Sequence, residues 1–96
     1  MSLINKKKLN IFRKQIDKLD DNLLKLIKKR SLIVNNVLDL KTKKNEIVDK
    51  KRINFILKKI KFKSKQKKID IKITEKIWKS MIWSFIEYER RNFKKK

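Results

Sequence analysis

Arg30 is a cation on a stripe of hydrocarbon. Leu9, Phe12, Ile16, Leu19, Leu23 and Leu26, followed by Ile33, Val37 and Leu40, recur in alternating steps of three and four, the period of a helical seam, and Arg30 falls on that seam between Leu26 and Ile33. A buried charge without a counter-charge is strongly destabilising, so the fold supplies an anion or Arg30 receives an anionic ligand. Glu89 repeats the anomaly. The stripe Trp78, Ile82, Phe85 continues to it in steps of four, three and four. A desolvated carboxyl group there keeps its proton and can donate a hydrogen bond, whereas one paired with Arg30 gives the proton up. The structural alternatives are an internal Arg30 to Glu89 ion pair, or a Glu89 lying past the end of the core.

Arg13 and Lys41 share one edge of the same helical run, flanking the seam. They are roughly 40 Å apart along an ideal helix axis, too far for both to touch one small molecule from a single helix. Arg30 and Lys41 differ by only about 20° in helical direction, so their long side chains can converge on one anion. In an antiparallel pair of helices, Arg13 of one chain lies beside Arg30 and Lys41 of the other. Arg52, one turn after Asp49, reads by itself as an ordinary surface pair. Trp83, Ser84 and Tyr88 flank the third-helix stripe and read as packing or surface residues, and Trp78 and Phe85 as core.

The composition limits what these groups can do. There is no Cys and no His, which excludes disulfides, thiolate nucleophiles and cysteine metal sites, and removes the commonest metal ligand and general base. Catalysis would have to be largely electrostatic. The net charge of +21 raises a nucleic-acid reading, since lysines neutralise phosphates. Against it, the lysines are spread over every segment and Ala is absent, the pattern of a general residue bias. Lys58 to Lys68 and the tail Lys94 to Lys96 are the two runs that resemble contact patches, and solvated charge explains both.

The elements that must hold these residues are helices. Gly and Pro are absent, which disfavours tight hairpins and leaves long helices joined by polar loops. The spacing predicts a first helix from Lys6 to Leu9 through Leu40 or Lys43, a polar break over Thr42 to Val48, and a second helix capped by Asp49. That helix carries Ile53, Ile56, Leu57 and Ile60. A connection over Lys63 to Lys72 and a third helix capped by Asp70 or Thr74 follow. The 96 residues read as one all-α domain, with a core of about 6–92 and a basic tail at 93–96. A first helix on the order of 50 Å long exceeds the width of so small a domain, so the seam predicts an intertwined homodimer. The N-terminus lacks the apolar core of a secretory signal and no stretch approaches a membrane span, which predicts a cytoplasmic protein.

In this arrangement the chain resembles the small all-helical chorismate mutases. The resemblance runs from Leu9 to about Glu89. Its most specific piece is LNIFRKQIDKLDDNLLKLIKKR, similar to the family's opening Leu-x-x-x-Arg-x-x-Ile-Asp-x-x-Asp-x-x-Leu-Leu-x-Leu-x-x-x-Arg. Lys41 follows at the family's spacing, IVDKKRI resembles its Asp-x-x-Arg-Glu element, and IWKSMIWSFIEYE resembles its closing helix. The resemblance implies the Claisen rearrangement of chorismate to prephenate, which needs no cofactor and no metal. It implies Arg13 from the partner chain and Arg30 on the substrate carboxylates, and Lys41 and Glu89 on the ether oxygen. It further implies Arg52 as an added cation and Asp49 near the substrate hydroxyl. Glu89 stands where the family carries Gln or Glu, and a carboxyl group donates only when protonated. Two positions depart from the pattern. Ile53 replaces the usual Glu near the substrate hydroxyl, and Phe85 replaces a commonly small or polar residue. Both also resemble the isochorismate pyruvate lyases of the same fold, which stay open as the alternative activity beside a non-enzymatic basic binding protein.

Overall fold

The computed structural model describes residues 1–95, so Lys96, the last residue of the expected tail, lies outside them. Three α-helices follow one another: α1 (Leu3–Leu40), α2 (Lys50–Gln66) and α3 (Ile71–Asn92), with a short 3-10 turn at Lys44–Glu46 between α1 and α2. Among the described residues there is no strand and no helix long and apolar enough to cross a membrane. The chain divides into two compact units, Met1–Ile33 and Val34–Lys96.

The first unit is helical from Leu3 to its end. It starts earlier than the Lys6 to Leu9 expected, because Ser2 caps it. The Ser2 hydroxyl accepts from the Asn5 N–H at 3.2 Å and its carbonyl from the Lys6 N–H at 2.9 Å. Phe12, Ile16, Leu19, Leu23 and Leu26 are 54–61% exposed in the single chain. The seam therefore buries almost nothing by itself.

The second unit holds the core. Leu38 from α1, Ile47 from the connection, and Ile82 and Ile86 from α3 are all buried, with Val48, Ile53, Ile56, Leu57 and Phe93 packed against them. The expected break after α1 does occur, and its cause is Glu46. Glu46 Oε1 accepts from the backbone N–H of Thr42 (3.1 Å), the Thr42 hydroxyl (3.0 Å) and the Lys43 N–H (2.8 Å). Those contacts turn the chain out of the helix after Leu40 and bring Ile47 into the core. Helix α2 begins as expected at Asp49, whose Oδ1 accepts from the Arg52 N–H at 3.0 Å.

Helix α2 continues to Gln66, past the Lys63 expected, so the connection to α3 shrinks to Lys67–Asp70. It closes with a Schellman pattern: Ile69 N–H donates to the Ser64 carbonyl (2.9 Å) and Lys68 N–H to the Lys65 carbonyl (3.2 Å). Lys68 takes the left-handed conformation (φ 56°) that glycine usually fills. Asp70 caps α3 through its Oδ1 and the Lys72 N–H at 2.8 Å. Thr74, the other candidate cap, is buried inside the hairpin, where its hydroxyl lies 2.8 Å from that of Ser64. Lys63 and Lys65 belong to the last turn of α2.

Candidate active site

Among the described residues Glu89, on α3, is the buried carboxylate, 6% exposed. Its place on α3 puts it one turn beyond Ile86 and two beyond Ile82, and so it is buried by the same packing. Lys41, the first residue after α1, donates from Nζ to both Glu89 oxygens at 3.2 Å each. Lys41 is itself largely covered, with 17% of its side chain exposed. A pair this sheltered from water is held more firmly than a surface ion pair. Chemically it is an ammonium donor and a carboxyl group meeting at one point, able to accept or supply a proton and to hydrogen-bond an incoming oxygen from two sides.

Lys41 also borders an open concavity of about 610 Å³, lined with Glu46, Val48, Asp49, Lys50 and Lys51. Two residues expected in the site, Lys41 and Asp49, therefore face one space, and Lys50 and Lys51 add positive charge to its wall. Asp49 uses Oδ1 for its cap. Arg52 is exposed, and its guanidinium stands 5.4 Å from the centre of the Phe55 ring. Its link to Asp49 runs through its backbone N–H, the helix cap expected of Asp49. Ile53 is half-buried and packs on the core, and Phe85 is half-buried on α3. Arg13 and Arg30 belong to the first unit, Arg13 exposed and Arg30 half-buried.

Three contributors carry no clear sequence signal. Glu46 holds the connection that follows Lys41; its only trace is a Glu placed three residues after Lys43 in a polar break. The N–H of Lys43, then the hydroxyl and N–H of Thr42, hold its carboxyl below the usual carboxylate range. Tyr88 and Asn35 are the other two. The Tyr88 hydroxyl donates to Asn35 Oδ1 at 2.7 Å, a contact between residues too distant in sequence for any local pattern to reveal. Among the described residues no group of three or more His, Cys, Asp or Glu side chains is placed to hold a metal ion.

No curated protein and no solved structure matches the chain. The family model for chorismate mutase type II matches residues 12–90, a span that takes in every candidate residue from Arg13 to Glu89. The chain belongs to the chorismate mutase type II family.

Proposed function

We propose that the protein is a chorismate mutase, rearranging chorismate to prephenate for phenylalanine and tyrosine synthesis as a single-domain cytoplasmic homodimer. The observation that carries this reading is the sheltered Lys41 to Glu89 pair, formed by the two residues that match the family's ether-oxygen positions. In the rearrangement the C–O bond of the ether breaks as a C–C bond forms, and negative charge gathers on the ether oxygen in the transition state. Donors fixed in advance at that oxygen stabilise the transition state more than the ground state. Lys41 supplies one donor from Nζ. Glu89 supplies the second once it carries a proton, and the Lys41 ammonium then turns from the carboxyl group to the substrate.

The remaining roles follow the family pattern. Arg30, with Arg13 of the partner chain, grips the two carboxylates and holds the substrate in its compact diaxial form. Asp49 receives the substrate hydroxyl and Arg52 adds positive field, while Ile53 and Phe85, which depart from that pattern, form an apolar wall around the ring. The exposed α1 seam supports the dimer, because a second copy is the surface that repeats the same heptad.

The test is turnover of purified protein with chorismate and, separately, isochorismate at pH 5 and pH 8, with product identification. Prephenate from chorismate is the expected result. Salicylate and pyruvate from isochorismate alone would instead mark Ile53 and Phe85 as the signature of a lyase. No turnover of either substrate would reduce the relationship to fold.

A further inference from the structure

Asn35, Leu38 and Lys41 recur every third residue, one per turn, at the end of α1 and just past it, and each meets α3 chemistry of a different kind. Leu38 joins Ile82 and Ile86 in the buried core, Lys41 pairs with Glu89, and Asn35 accepts the Tyr88 hydroxyl at 2.7 Å. The apolar contact supplies attraction without direction, so by itself it lets α3 roll about its axis. A roll of 20° would sweep a side chain about 6 Å from that axis through roughly 2 Å. The phenol to amide hydrogen bond is directional, and it sits one residue before Glu89. Tyr88 is half-buried, so its hydroxyl loses water on folding. A Phe would pack there without that loss, and the presence of the hydroxyl therefore points to a purpose beyond packing.

We propose that Tyr88 and Asn35 form a clasp that sets the rotation of α3 against the end of α1 and so holds the Glu89 carboxyl group at Lys41. They are positioning residues for the donor pair, and their effect on catalysis rests on the mutase reading. Misplacing a catalytic group by about 1 Å can cost on the order of 100-fold in rate, and the core limits the displacement here, so Tyr88→Phe is expected to lower kcat about tenfold. KM should change less than twofold, because the groups on the substrate carboxylates are untouched. Asn35→Leu should give the same loss, and the double variant no more than either alone. In a Glu89→Ala background, Tyr88→Phe should have no further effect, since the group it positions is gone.

The experiment is steady-state kinetics on these variants, with thermal unfolding to confirm that each is folded at the assay temperature. An unchanged kcat in Tyr88→Phe, or an equal tenfold loss in the Glu89→Ala background, overturns the proposal. A second readout needs no substrate. The Lys41 ammonium, assigned through Lys41→Arg, should give a slowly exchanging nitrogen-15 signal in the parent protein that weakens in Tyr88→Phe, and persistence of that signal at full strength overturns the clasp. If the parent fails to turn over chorismate, the proposed function falls, and the ammonium signal still decides whether Tyr88 holds the pair together.

Discussion

On the mutase reading, Glu89 and Lys41 carry the chemistry at the scale of single residues, and the contact between them sets the conditions for it. Lys41 donates to both Glu89 oxygens, and a carboxylate without a proton at that point would repel the charge that develops on an ether oxygen. On that reading Glu89 acts as a donor, which a carboxyl group does only with its proton. Glu89→Gln replaces it with an amide that donates at every pH. On the mutase reading, Glu89→Gln is expected to keep turning over chorismate while Glu89→Ala loses most of kcat/KM, which steady-state kinetics on the two variants will read. An inactive Glu89→Gln, or an undiminished Glu89→Ala, would remove Glu89 from the role of donor. The residue's importance was legible in the sequence because a carboxylate on an apolar stripe is out of place. Its hydrogen-bond partner was not. Spacing left Arg30 as a candidate, the family resemblance set Lys41 and Glu89 at one ether oxygen, and the direct contact between them depends on how the end of α1 meets the last turns of α3.

At the scale of elements, two connections decide where the helices stop. Glu46 closes the first by accepting three donors at one oxygen. Because those donors lower its folded-state pKa, its contribution is complete above the ordinary glutamate value and is lost as pH falls through the depressed one. Glu46→Gln should therefore melt at a lower temperature than the parent at pH 7. The gap should narrow as pH drops below about 4, which a series of thermal unfolding curves from pH 7 to pH 2.5 will read. The second connection depends on Lys68, held in the left-handed region where a Cβ costs about 1 kcal/mol. Lys68→Gly is expected to stabilise the hairpin by roughly 0.5–1 kcal/mol, read as a rise in melting temperature; an unchanged or lower one would show that the Lys68 side chain contributes more than its backbone strain removes. Helix identity and the caps at Asp49 and Asp70 could be read from periodicity and residue type. The extension of α2 to Gln66 could not, because a Lys in a Schellman turn lacks the glycine that normally announces it.

The whole molecule is dominated by what a single chain leaves in water. Ile33, Val37 and Leu40 continue the exposed seam at 62%, 44% and 79% exposure, and apolar surface on that scale favours association. If the seam pairs two copies, sedimentation should give twice the chain mass, and the melting temperature should rise with protein concentration. Leu23→Lys, in the middle of the seam, should yield a monomer with a lower and concentration-independent melting temperature. A monomeric parent would exclude Arg13 of a second chain from the site. The sequence by itself determined an all-helical protein, the three apolar stripes, the family and the list of charged residues out of place, because each is written in spacing along a single helix or in residue type. Tertiary structure alone decided that Lys41 donates directly to both Glu89 oxygens, that Glu46 gathers Thr42 and Lys43, and that Tyr88 reaches Asn35. Those contacts depend on how far each helix runs and how it is rotated, which loop hydrogen bonds and core packing fix and which no local pattern encodes.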